Sequence, residues 1–185
     1  PATLCSHRTV RRLRECCDEV ARLWGPPDFL INGAGGNDPR GSTSTEFHNP
    51  AEADDSAGQS FFDLDPAGFS HVFDLNFMGT FHTTQAFAGG MVEKGKGAIV
   101  NISSMSAFMP LTKVAAYSAA KAAVSNFTRW LAVHFAHTGV RVNALAPGFF
   151  MTEQLRFLHI DQKTGELTPR ARQVVAHTPL GRYGL

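Results

Sequence analysis

Val10, Leu13, Cys17, Val20 and Trp24 recur at helical spacing with Arg, Glu and Asp between them, which predicts an amphipathic helix over about residues 8–24. Gly25-Pro26-Pro27-Asp28 stops it, and Phe29-Leu30-Ile31 reads as a short buried strand. Residues 36–62 are rich in Gly, Ser, Thr, Asp, Asn and Pro and read as a long loop, which in a compact domain is usually a functional lid or disordered. Asp65 supplies an N-cap and Pro66 a first helical position, so a helix is predicted from there to about residue 92. A turn and a buried strand follow near 97–102, then a second long helix over about 114–137 that ends at Gly139. "VRVNALAP" is a further strand, stopped by Pro147; a short helix near 152–158 and a polar, proline-containing segment follow.

Long helical stretches between short apolar strands imply βαβ crossovers. The expected fold is α/β, a doubly wound parallel sheet with helices on both faces. The length suits one domain, residues 1–185. Such sheets bind ligands beyond the carboxyl ends of their strands. Residues 32–36, 103–104 and 146–148 are therefore expected to converge on one crevice.

Composition narrows the function classes. The 185 residues are 43% hydrophobic and 18% charged, enough apolar material for a core. The formal net charge is +1, with Lys and Arg scattered, so no basic stripe points to nucleic acid. No apolar run approaches the roughly 20 residues that span a bilayer. "PATLCSHRTVRRLR" has no apolar leader core, so nothing supports secretion, and a cytoplasmic location is expected. Cys5, Cys16 and Cys17 are odd in number and read as free thiols. The eight histidines include no H-x-x-x-H pair, and no metal is expected.

"FLINGAGGND" raises the question of a phosphate loop. A dinucleotide fingerprint needs G-x-G-x-x-G between strand and helix. Gly33 and Gly35 fit the first two places, but Asp38 occupies the third and a polar loop follows. No helix N-terminus is available there for a pyrophosphate. Lacking side chains, these glycines let backbone lie close to something flat, although a plain tight turn accounts for them equally well.

"YSAAK" puts Tyr117 and Lys121 on one helix face. A free phenol has a pKa near 10, and a neighbouring ammonium favours its ionised form. Ser103 and Ser104 end the preceding strand, where a hydroxyl could bind a substrate oxygen. A lone Y-x-x-x-K is commonplace on solvated helices. Its combination with the Ser-Ser strand end, the thirteen-residue spacing from Ser104 to Tyr117, and "NALAPG" is specific.

With these motifs the sequence resembles the short-chain dehydrogenase/reductase family from about residue 8 to 185. The resemblance implies a Rossmann-like fold, an NAD or NADP cofactor, and catalysis by Ser104, Tyr117 and Lys121. It implies that Asn76, in "DLNFMGTF", holds a proton-relay water near the lysine. Asn32-Gly33-Ala34-Gly35 matches the family's Asn-Asn-Ala-Gly turn beneath the adenosine half of the cofactor, with Gly33 in place of the second Asn. Asn32, Ala34 and Gly35 are thus expected cofactor contacts. So are Tyr117, Lys121, Pro147, Gly148, Phe150 and Thr152. The family's opening strand with its Gly-x-x-x-Gly-x-Gly phosphate turn finds no match, nor does its last helix and strand. The expected fold therefore lacks the first βα unit or units and the C-terminal end.

Within the family, "NGAGGN", "EFH", "FFDLD" and "TPLGRYG" look closest to D-mannonate oxidoreductases, also called fructuronate reductases. The implied substrate is a sugar acid. Its carboxylate needs a cation, and Arg40, Lys113 and, less well placed, Arg182 are available. Ser106 and Asn37 are expected to meet sugar hydroxyls, and Met105, Phe108 and Met109 to shape the pocket wall. Family members pair long helices across subunits. Phe127, Trp130, Leu131 and Phe135 are accordingly expected at a homodimer or homotetramer contact, or else packed on the sheet. The alternatives are a reductase of another polyol, sugar or acyl ketone, and an inactive cofactor-binding relative.

Overall fold

The computed structural model describes residues 7–50 and 58–184. Cys5 and residues 51–57 of the expected loop lie outside the described residues. The chain divides into two compact units, Pro1–Ala146 and Pro147–Leu185, and each is described by itself.

In the first unit α1 (His7–Trp24) ends at Gly25, whose φ of 78° suits a residue without a Cβ. Strands β1 (Phe29–Asn32), β2 (Gly97–Ile102) and β3 (Val140–Leu145) form a parallel sheet in the order β1-β2-β3. Asn32 lies opposite Asn101, and Ile99 opposite Val142. The β1–β2 crossover contains α2 (Pro66–Phe73) and α3 (Gly79–Lys94), and the β2–β3 crossover contains α4 (Ala115–His134). The Asp65 carboxylate accepts from the Ala67 N–H at 2.9 Å, the predicted cap.

The helix predicted from 66 to about 92 forms and runs on to Lys94, but its winding changes once. Residues Asp74–Met78 form a π-type turn in which the Gly79 N–H reaches back five residues to the Asp74 carbonyl. Such turns concentrate at functional sites.

Ile99, Val140 and Val142 of the sheet bury against Ala88 and Met91 of α3 and Leu131 of α4. Sharing one cluster, α3 and α4 lie side by side on one face of the sheet. The other face carries Phe29 and Ile31, 75% and 69% exposed, and Leu145. This corrects the reading of 29–31 as a buried strand, because only Leu30 and Asn32 point inward. Among the described residues the helices of this unit cover one face rather than both. No described helix is long and apolar enough to cross a membrane.

A buried polar ladder ties these layers together. Asn32 Nδ2 donates to Thr84 Oγ1 of α3 (2.9 Å) and to Asn101 Oδ1 (2.8 Å). Asn101 Nδ2 donates to Thr128 Oγ1 of α4 at 2.9 Å. Each side chain of the ladder is bonded to the next, and such a connected network favours one geometry.

In the second unit, Thr152 caps α5 (Glu153–His159) by accepting from the Leu155 N–H. The polar segment beyond it contains a helix the sequence reading missed, α6 (Pro169–Ala176), with Thr168 as cap and Pro169 at its first position. His159 Nδ1 meets the Tyr183 hydroxyl at 2.7 Å, and Phe149 packs against both rings.

Candidate functional site

The carboxyl ends of β1 and β2 meet the start of α4 and the π-type turn. Asn76, at the centre of that turn, is fully buried. Its Nδ2 donates to the carbonyls of Val72 and Gly36, both at 2.8 Å, and its Oδ1 accepts from the Gly36 N–H at 3.3 Å. The amide thus pins the chain leaving β1. A Cβ placed on Gly35 would lie 2.6 Å from Asn76 Oδ1 and 3.2 Å from Lys121 Nζ. Glycine is required there by close approach, which the sequence signalled only as a cluster of glycines.

Lys121 is 4% exposed. Its Nζ donates to the Ile102 carbonyl, the last of β2, at 2.8 Å and sits 5.6 Å from the centre of the Tyr117 ring. Burial pushes its pKa below the ordinary lysine value, because a charged ammonium loses hydration there. An ammonium has three hydrogens, so two remain beyond the bond to Ile102. The i, i+4 spacing read from the sequence thus does bring Tyr117 and Lys121 together.

Ser104 directly follows Ser103 at the end of β2. Its Oγ accepts from the Ser106 N–H at 3.2 Å, which caps the short turn Met105–Ala107. Among the described residues nothing takes its hydroxyl hydrogen. Ser106 does not sit as expected: its Oγ is sealed from solvent and has no partner, so it is not presented to a substrate. Phe108 and Met109 are exposed, and the Arg129 guanidinium lies 5.9 Å over the Phe108 ring.

The three cations differ. Arg40 is held by Asp38 at 2.7 Å and Asp65 at 3.5 Å. Its guanidinium lowers the Asp38 pKa to about 2. Two carboxylates already occupy Arg40, which counts against its service to a substrate. Arg182 belongs to the second unit and donates to the Tyr183 carbonyl. The Lys113 ammonium has no partner among the described residues. Its backbone, at φ 72°, is in the left-handed region that costs a non-glycine residue about 1–2 kcal/mol. The Thr43 N–H, donating to the Lys113 carbonyl at 2.9 Å, ties this bend to the 36–62 loop. Asn37 donates to Ser42 within that loop. Gln59 also fastens the loop, through the carbonyls of Arg40 (2.9 Å) and Ser42 (2.8 Å), and no sequence signal pointed to it.

Of the expected cofactor contacts, the Asn32 side chain is spent inside the sheet, while Gly33, Ala34 and Gly35 are exposed at the β1 tip. Pro147, Gly148, Phe150 and Thr152 lie in the second unit, where Thr152 caps α5 and Phe150 pairs with Gly184. A groove of about 450 Å³ runs along α3 and α4, lined by Phe81, Ala88, Phe127, Trp130, Leu131 and Phe135 among others.

Residues 4–163 match the family model for short chain dehydrogenases. The chain belongs to the short-chain dehydrogenase family. Relatives of this family member include the uncharacterised oxidoreductase UxuB of Bacillus subtilis (strain 168), 49% identical over 93% of this chain. An uncharacterised oxidoreductase of Haemophilus influenzae is 46% identical over 95% of it. The chain spans 60% of the length of each of these two relatives. A crystal structure of a candidate D-mannonate oxidoreductase from Haemophilus influenzae with bound NAD matches with a TM-score of 0.88 at 46% identity. That match covers 95% of this chain and 61% of the other. An actinorhodin polyketide ketoreductase with NADPH matches at 0.73 and 31% identity, over 97% and 63% of the two chains. The family accounts for the parallel sheet.

Proposed function

We propose that the protein is an NAD(P)-dependent oxidoreductase that interconverts the carbonyl and hydroxyl of a sugar acid of the D-fructuronate/D-mannonate type. The observation that carries the reading is the buried Lys121 ammonium, bonded to the strand end that precedes Ser104 and lying over the Tyr117 ring.

The residues present suit a dinucleotide. Gly33, Ala34 and Gly35 offer a strand tip with nothing larger than a methyl, and Gly35 sits where a Cβ would press on Asn76 and Lys121. Ala34, Gly35, Tyr117 and Lys121 would hold the cofactor. When bound, the nicotinamide supplies the hydride. The Tyr117 phenol gives its proton to the substrate oxygen in reduction and takes it back in oxidation. Lys121 supports the charge on that oxygen electrostatically, and the Ser104 hydroxyl donates to the substrate oxygen and orients it. Asn76 keeps the β1 tip against the lysine. Lys113 is the best-placed cation for the substrate carboxylate, since Arg40 is already paired.

The sugar-acid assignment draws on the Haemophilus influenzae structure and on Lys113, whose ammonium has no partner among the described residues. The related structures hold NAD in one case and NADPH in another, so both cofactors belong in the assay. Free Cys16 and Cys17 suit a reducing cytoplasm, and the apolar α3–α4 groove suits a homodimer or homotetramer.

Oxidation of NADH and NADPH with D-fructuronate, against a panel of polyol, sugar and acyl ketones, tests the reading. D-fructuronate should give the highest kcat/KM. Tyr117→Phe should lower kcat by about 10²–10⁴-fold with the fold intact. Preference for another ketone would reassign the substrate, and substantial turnover by the variant would reject Tyr117 as the acid.

A further inference from the structure

Lys121 is held at two points. Its Nζ is bonded to the Ile102 carbonyl (2.8 Å), and its own backbone carbonyl accepts from Ser103 Oγ (3.2 Å). Ser103 Oγ also lies 2.6 Å from Ser125 Oγ, one turn along the same helix. The assignment that uses every hydrogen has the Ser125 hydroxyl donating to Ser103 and the Ser103 hydroxyl donating to Lys121. Ser103 is 2% exposed and Ser125 is buried, so neither faces a substrate. Three consecutive residues of the strand end thus grip α4, because Asn101 also donates to Thr128 at 2.9 Å.

We propose that Ser103, with Ser125 behind it, is a positioning residue that sets the height of Lys121 along α4 and so keeps its ammonium on the Ile102 carbonyl. A hydroxyl at 103 bridges helix and strand where an apolar residue would only fill space. A long, flexible lysine held only at its ammonium would leave its helix turn free to slide. A shift of about 1 Å at such a site can cost on the order of 100-fold in rate. The proposal rests on the catalytic reading of Lys121, and its test separates the two.

In the intact protein, Ser103→Ala should lower kcat at least tenfold, leave KM for the ketone within threefold, and displace the pH–rate profile. Ser103→Thr, which keeps the hydroxyl, should restore most of the rate, and Ser125→Ala should show a smaller loss in the same direction. A readout without cofactor is the titration of Lys121 by NMR of ¹³Cε-labelled lysine, in a chain with five lysines. The Lys121 signal should titrate at a different pH in Ser103→Ala than in the unsubstituted protein. If Ser103→Ala only lowers Tm, with rate, profile and Lys121 titration unchanged, the proposal fails. If Ser103→Ala does not fold, Ser125→Ala and Ser103→Thr decide: an unaltered Lys121 titration and rate in Ser125→Ala overturn it. If the unsubstituted protein reduces no ketone, the catalytic reading falls while the lysine titration still tests the clamp.

Discussion

Gly35→Ala should destabilise the protein although it adds one methyl group at an exposed strand tip. The new Cβ would stand 2.6 Å from Asn76 Oδ1 and 3.2 Å from Lys121 Nζ. The nearer atom ends a side chain, and such atoms ordinarily swing aside. Asn76 has little room to do so, because its amide makes bonds to Val72 and to both backbone groups of Gly36. Relief therefore means breaking some of these, at about 0.5–1.5 kcal/mol each, or straining the turn. Overpacking a fitted site typically costs about 1–3 kcal/mol. For a chain of this size that lowers Tm by about 2–12 °C. Gly33→Ala is the control, since its nearest neighbour beyond the adjacent residues is Ile102 Cγ1 at 3.8 Å, an ordinary contact. Thermal and urea unfolding followed by circular dichroism would compare the two. Equal stability of both variants would refute the argument that Asn76 is pinned.

Asn101→Ala removes the middle of the buried ladder and leaves polar partners on β1 and α4 short of a bond. It should cost about 2–4 kcal/mol in urea unfolding, and a loss below about 1 kcal/mol would show that the ladder is dispensable. Gly139→Ala places a Cβ against the Gly95 carbonyl at φ 75°, so a loss of about 3 kcal/mol or more is expected; a normal melting curve would contradict it. Burial and the charge of Arg170 lower the His159 pKa below 6.5. The unfolded chain therefore takes the proton first, and stability falls as pH drops from about 6.5 through the folded value. Hydrogen exchange over residues 153–176 should quicken across that window. His159→Gln should flatten the response, and an identical profile in the variant would exclude this histidine as its source.

The parallel strands were legible because three or four apolar residues sat close together between turn signals, as in "GAIVNI". Tyr117 and Lys121 were legible because helical spacing alone puts them on one face. What escaped was set by partners distant in sequence. Residues 66 to 94 carry an apolar pattern that suits a continuous helix, and only the grip of Gly36 on Asn76 accompanies the wider turn. Phe29 and Ile31 look buried by composition, yet alternation along β1 turns them to the face that α3 and α4 do not cover. α6 is polar, and its readable signal was local: Thr168 before Pro169, a cap and first-turn pair. Ser106 illustrates the reverse error, a hydroxyl near the site that faces protein and not crevice.

The π-type turn also governs phase. Val72, Asn76, Thr80, Thr84 and Ala88 are buried at intervals of four. In an unbroken α-helix a row so spaced drifts around the axis by about 40° per step. The slack coil at 74–78 gives part of that rotation back and keeps the row aimed at the strands. Deleting one residue there would yield a more regular helix and turn Thr84 away from Asn32, its partner on β1, so that greater local order would loosen the assembly.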